Sequence, residues 1–364
     1  MDLTAATSQL KLSSSLSQSS SYDLASVNMD TNSVAGSISD TDTDINEANE
    51  QERDWWLRKD SLGLSFLDIN ERRLPLIIAR DTSFNQFAKR VNNDRRFFDY
   101  QHGTVTIIEL PSGDHESANS KLGYLFNKGV DNNTTPQDGV EAWGSKSLYT
   151  NLVTRRFDEP DKCYIPRRLL NPQIAAQHPC DQGGNPWPTI VFEVACSETL
   201  QHVKNKINDV WLAPNRCEDV IVIKLGRWMR RRHNTTTRRP LRHMRCLKFC
   251  RTATLQQNPN ATSFDAIEEI EFGSVFSNGM ESFFCDGPHM KWLTIDCSCI
   301  YAGCQQPIPS FHAVVSSQPL PQPQGPPQPQ GPPQPQVPYP LQGPGIAIDL
   351  YDLQQSIFLA MGPN

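Results

Sequence analysis

Long apolar runs are missing from this sequence. No stretch of its 364 residues reaches the twenty or so consecutive apolar residues that a membrane-crossing helix needs. No apolar segment follows the initiator Met either, so the expectation is a soluble, intracellular chain, nuclear or cytoplasmic, without a membrane partner. In that compartment the ten cysteines are expected as reduced thiols rather than a disulfide framework. Also absent are a glycine-rich phosphate loop, a Ser-His-Asp order and a haem motif, which removes the sequence support for nucleotide-loop, serine-triad and haem chemistry. Zinc knuckles use Cys-x-x-Cys pairs, and none occurs among Cys285, Cys297, Cys299 and Cys304. Leu293, Ile295, Cys297 and Cys299 read instead as alternate positions of a strand, and Cys246 with Cys250 finds no matching set.

Basic residues are nearly absent from the first fifty, where Lys11 stands against eight acidic groups and long serine runs. Such a segment buries too little apolar surface to offset its ordering entropy, so 1–50 reads as a disordered acidic tail. Removing its charge of −7 from the chain's −6 leaves 51–364 at +1. The acidic balance therefore belongs to the tail, and the remainder is near neutral with a local basic excess. Towards the other end, 313–345 is a Pro/Gln/Gly-rich linker, as in Pro321 to Gln334, suited to polyproline II or to a proline-motif-binding protein. Beyond it lies a short apolar terminal segment, 346–364, read as a docking helix or an unstructured terminus.

Between the tails, periodicity suggests alternating helices and strands. Ser83 and Gln86 form a capping-box pattern ahead of Phe84, Phe87, Ala88 and Val91. Thr104 to Leu110 reads as a strand, and Asp114 is placed to cap a helix carrying Ala118, Leu122, Leu125 and Phe126. Ser147 to Thr154 and Lys162 to Pro166 read as strands. Thr189 to Cys196 is a short continuous apolar run, the mark of a strand buried on both faces. Ser197 is placed to cap the next helix, with Leu200, Val203, Ile207, Val210 and Trp211 as its apolar stripe. Asp219 to Leu225 is a second buried strand. This order predicts a mixed α/β sheet.

Glu193 interrupts the apolar run 189–196. An ionised carboxylate there must be paired, protonated or bound to metal, since burying it alone is costly. A structural ion pair with arginine remains an open reading. A second acidic group, Asp158-Glu159-Pro160-Asp161, precedes the strand at 162, where a solvated turn is the alternative. Two carboxylates at adjacent strand ends are what Mg²⁺ or Mn²⁺ requires: hard oxygen donors with room for water and phosphate.

Several of these pieces resemble the Uma-type restriction endonuclease family of the PD-(D/E)XK nuclease superfamily. Phe98-Asp99-Tyr100-Gln101-His102-Gly103-Thr104-Val105 is similar to its opening signature. Pro111-Ser112-Gly113-Asp114-His115 is similar to its Pro-Ser turn with a histidine beginning a helix. Pro160-Asp161 resembles the PD element, and Phe192-Glu193-Val194-Ala195-Cys196-Ser197 the strand bearing the second acid. The resemblance covers about 81–226. It implies a restriction-endonuclease-like α/β fold over 60–230, with 231–312 as its C-terminal extension.

The resemblance also implies site roles: Asp161 and Glu193 as metal ligands, Asp99 as a supporting acid, and His115 contacting phosphate or orienting Asp99. Local hydrogen bonding is the alternative for His115. The superfamily's lysine, two residues past the second acid, is replaced here by Ala195. In the Uma-type pattern the lysine sits in the following helix, which implies Lys206, with Lys204 as runner-up; both flank the apolar stripe, so helical geometry does not separate them. The implied chemistry is metal-assisted hydrolysis of nucleic-acid phosphodiesters, DNA before RNA.

Arg227 to Arg245 carries eight arginines, among them Arg227, Arg230, Arg231, Arg232, Arg238 and Arg239, a stretch able to neutralise several phosphates. A nuclear-localisation element and a solvated basic loop are alternative readings of it. Two other functions stay open: a catalytically silent nuclease fold used for nucleic-acid or protein binding, and a scaffold whose proline-rich tail recruits a partner.

Overall fold

The computed structural model describes residues 46–57, 70, 73–91, 97–110, 112–146, 148–151, 156–171, 178–181, 183–228, 232–316 and 340–362. Most of the acidic tail, the proline-rich run, Arg230 and Arg231 lie outside the described residues.

The protein is mixed α/β. In chain order its elements are β1 (Asn46–Glu47), α1 (Glu50–Leu57), β2 (Leu76–Ala79), α2 (Phe84–Val91), β3 (Phe98–Gln101), β4 (Thr104–Ile107) and α3 (Gly113–Asp131). Then come β5 (Val140–Gly144), β6 (Leu148–Asn151), β7 (Arg156–Asp158), β8 (Lys162–Pro166), β9 (Ile190–Ala195), α4 (Leu200–Lys206) and β10 (Asp219–Leu225). The remainder is β11 (His243–Cys250), α5 (Arg251–Gln257), β12 (Glu268–Gly273), β13 (Trp292–Asp296), α6 (Cys297–Ile300), β14 (His312–Val315), β15 (Gly345–Asp349) and α7 (Leu350–Met361).

The central sheet runs β12-β11-β10-β9-β8-β5, with β9 and β10 parallel and the other neighbours antiparallel. Every residue of β9 is buried, because both faces of the sheet are covered. On one face Phe192, Val194, Ile221 and Ile223 pack with α3, α7 and the small sheet β13-β15-β14. On the other, Val191, Ala195, Val220 and Val222 pack beneath Val203, Ile207, Val210 and Trp211. A separate sheet, β1-β2-β4-β3, builds its own core with Trp56, Phe87 and Val91.

Some local expectations need correction. Ser83 and Gln86 do exchange hydrogen bonds ahead of α2. The cap of α3 is Ser112, whose hydroxyl accepts from the His115 N–H, and not Asp114. The cap of α4 is Thr199, not Ser197. The strand expected through Cys299 stops at Asp296, and Cys297–Ile300 turn into a short helix. Of the two readings of the apolar terminal segment, the docking helix holds for α7, which lies against α3, while the residues before it form β15, wholly buried between two strands.

Gly123 matters to the site. A Cβ there would meet the Lys162 amine and the Tyr164 hydroxyl, so any other residue at this position would displace those two side-chain ends.

Candidate functional site

The site forms where β8, β9 and their connections end beside the first turn of α3. Lys162 pairs with Phe192, which sets Asp161, one residue earlier, opposite Glu193. Alternation puts Glu193 on the face of Val191 and Ala195, under α4.

β8 no longer pairs with β9 beyond Lys162, and the side chain of Asp161 takes over. Its Oδ2 accepts the Val194 N–H at 2.7 Å, while Oδ1 lies 3.4 Å from His115 Nε2. Burial opposes the charge on Asp161, but His115, the Val194 N–H and Lys206 outweigh it and lower its pKa. Burial likewise opposes the charge on His115, yet Asp161, Glu116 and Glu109 hold it protonated well above the ordinary histidine range. His115 thus serves Asp161 rather than Asp99.

Glu193 Oε1 receives two donors, Lys206 Nζ at 2.9 Å and the Trp211 indole N–H at 2.6 Å. Trp211 arrives through a π-helical turn, Ile207–Trp211, which continues α4. Such widened turns recur at functional sites. Burial pushes the Glu193 carboxyl up to about 7, against the pull of Lys206, with Asp161 and Glu198 adding repulsion. Lys206 is itself buried, which favours the neutral amine, but Glu193, Glu198 and Asp161 raise its pKa. Its amine also donates to the Glu159 carbonyl at 3.1 Å. Lys204 turns away from these groups to Asp265, 3.8 Å distant.

Asp99, on β3, meets neither Asp161 nor His115 in the contacts above. Its Oδ2 lies 3.5 Å from His202 Nε2, and His202 Nδ1 lies 2.5 Å from Glu198 Oε1. Burial lowers the His202 pKa, but Asp99 and Glu198 outweigh it and lift it to about 10.

Four residues of this site escaped the sequence reading. Glu109 follows β4 and is buried; its carboxylate accepts from the N–H groups of Cys196, Ser197 and Glu198 and from Ser197 Oγ at 2.7 Å. Burial nevertheless raises its pKa. The signal was present, since Glu109 interrupts Thr104 to Leu110 as Glu193 interrupts β9. Glu198 and His202 carried a helical four-residue spacing. Trp211 gave no signal beyond its place in the apolar stripe.

Two clefts open beside these groups. One of about 230 Å³ is lined by Asp99, Asp158, Glu159, His202, Asn205 and Lys206 among others. A larger groove of about 980 Å³ shares Asp99 and His202 and continues past Ser197, Lys224, Arg227 and Arg245. Of the expected basic residues, Arg227 lines this groove. Arg232 and Arg238 are exposed, and Arg239 pairs with Asp286.

No family model matches the chain, and no curated protein matches it. Among solved structures, a candidate nuclease of the DUF820 family from Anabaena variabilis is similar over 52% of this chain and 83% of that one, at 13% identity and a TM-score of 0.30. Fold and site together define a mixed α/β protein with a buried Asp-His and Glu-Lys-Trp cluster at the strand ends. Among the described residues, no helix is long and apolar enough to cross a membrane.

Proposed function

We propose that the protein is a divalent-metal-dependent phosphodiesterase acting on nucleic acid, DNA before RNA. The observation that carries this reading is the register that sets Asp161, just before β8, opposite Glu193 within β9, with Lys206 reaching in from the next helix.

The donors suit Mg²⁺ or Mn²⁺. Both groups offer hard carboxylate oxygens. Lys206 and Trp211 both engage Oε1 of Glu193, and among the described residues nothing donates to Oε2. Asp161 and Glu193 would hold the ion, which when bound makes a coordinated water more acidic and polarises the scissile phosphate. The chain's own groups do the rest. Lys206, held protonated, offers positive charge where negative charge develops on the phosphate oxygens. His115 keeps Asp161 ionised and oriented. Glu109 gathers the N–H groups of the turn after β9, fixing where Glu198 and His202 face the groove. Arg227 and its basic neighbours in the groove are suited to the phosphate backbone.

A non-catalytic nucleic-acid-binding module is the second reading. It is favoured by the same two ion pairs, since His115 and Lys206 already neutralise both carboxylates. A proline-motif-binding partner rests on the run 313–345 alone.

Incubation of the full chain with supercoiled plasmid, in Mg²⁺ or Mn²⁺ against EDTA, separates these readings. Metal-dependent nicking that disappears in Glu193→Gln and Asp161→Asn supports the enzyme. Absence of nicking, with salt-sensitive DNA binding retained by all three proteins, supports the binding module.

A further inference from the structure

We propose that the protein carries a structural zinc site away from the candidate active site, formed by Cys250, Cys299, Asp219 and Glu218. Asp219 opens β10 and pairs in register with Cys250, the last residue of β11. Glu218 immediately precedes Asp219, and Cys299 lies on α6, forty-nine residues beyond Cys250. One ligand atom from each residue falls within 4.8 Å of all the others.

The chemistry and the spacing both point to zinc. Two sulfurs and two carboxylates make a mixed set that suits a borderline-soft ion, whereas Mg²⁺ and Ca²⁺ take oxygen alone. The sulfurs lie 3.9 Å apart, which is hydrogen-bonding distance at most and far too long for a disulfide. Zinc–sulfur bonds of about 2.3 Å at a tetrahedral angle separate two sulfurs by about 3.8 Å.

A second observation points the same way. Asp219 is 0% exposed; neither carboxylate oxygen has an N–H or O–H donor among the described residues, and the groups turned towards it besides Lys248 are the Cys250 and Cys299 thiols, which are weak donors. A buried carboxylate left so is costly and calls for a counter-charge. Lys248 supplies part of it, with its amine 3.8 Å from Asp219 Oδ2, but it also donates to Thr294 O and reaches Asp296. Cys250 and Cys299 are buried, while Glu218 is half-buried and opens the site towards solvent.

The ion would join β10 and β11 of the central sheet to α6, which follows the strand β13 of the small sheet. Loading it converts two thiols into thiolates and releases their two protons.

The test uses the full chain and does not read cleavage. The purified protein is expected to hold one equivalent of zinc by elemental analysis. After chelation it is expected to take up Co²⁺ with a thiolate-to-cobalt charge-transfer band, which carboxylate sites cannot give. Cys250→Ser and Cys299→Ser should lose the band, Asp219→Asn should weaken uptake, and Glu193→Gln and Cys180→Ser should keep band and zinc alike. Wild-type protein with neither zinc nor band overturns the site, as does a Cys250–Cys299 disulfide in the purified chain. A band that survives both serine substitutions overturns it too. Because the wild-type measurement decides the matter, a variant that fails to fold does not shelter the proposal.

Discussion

Lys206 Nζ stands 2.9 Å from Glu193 Oε1 inside the layer where α4 covers the central sheet. Both side chains are nearly buried, so each ion depends on the other. Breaking a buried pair from one side typically costs about 3–5 kcal/mol, because the remaining charge is left without compensation. Lys206→Met is therefore expected to lower stability by about that amount in urea unfolding. Adding Glu193→Gln should recover much of it, as a neutral amide tolerates burial better. Equal destabilisation in the single and double variants would show that the pair does not act as a unit.

The raised pKa of Glu193 gives metal binding a pH dependence. A proton must leave the carboxyl, at about 7, before it can act as a ligand. Thermal stabilisation by added Mn²⁺ is expected to grow as pH rises through about 7 and to level off above. The sign for the metal-free protein is opposite. The folded pKa lies above the ordinary 4.5, so the contribution of this group is fully present below 4.5 and lost as pH rises through about 7. Manganese stabilisation that is flat across neutral pH would remove Glu193 from the ligand set.

Glu109 organises the turn after β9 by accepting from three backbone N–H groups and one hydroxyl. Glu109→Ala leaves those donors buried without an acceptor, at about 1–3 kcal/mol for each group left unpaired. Ser197→Ala removes one hydroxyl and is expected to cost about 1 kcal/mol. The urea midpoints of the two variants check the ranking; equal midpoints would deny Glu109 its central place.

His202 sits between Asp99 and Glu198, with its pKa lifted to about 10. Its contribution is full below the ordinary 6.5 and is lost as pH rises through about 10. Wild-type stability should decline over that window more than in His202→Asn. Parallel pH profiles for the two proteins would count against the bridge.

Arg227 lines the larger groove. If it meets a phosphate, Arg227→Ala should reduce the slope of log affinity against log salt by about 0.9, evenly across DNA sequences. An unchanged slope would place the backbone elsewhere.

How much was legible depended on the range of the interaction. The buried strands β9 and β10 were readable because a continuous β-branched run has few other uses, and α2 because its capping box is local. Glu193 was conspicuous as a charge among apolar neighbours. Glu109 carried the same signal in a shorter run and was passed over. Between Lys204 and Lys206 the sequence could not choose, since both flank one helical stripe. The structure separates them by turning Lys204 to Asp265 and Lys206 to Glu193.

By itself the sequence determined which segments bury themselves and which carboxylates would need partners, because hydrophobic periodicity and the cost of an isolated charge are properties of neighbouring residues. The tertiary structure alone decided the partners: His115 for Asp161, Trp211 and Lys206 for Glu193, His202 for Asp99, and Cys299 for Cys250. It also placed β15, beyond the proline-rich run, between β13 and β14. The physical reason is that hydrogen bonds and ion pairs act over a few ångströms of space, whatever the separation along the chain. Which side chains come that close is set by sheet register and helix packing, and no local pattern encodes those.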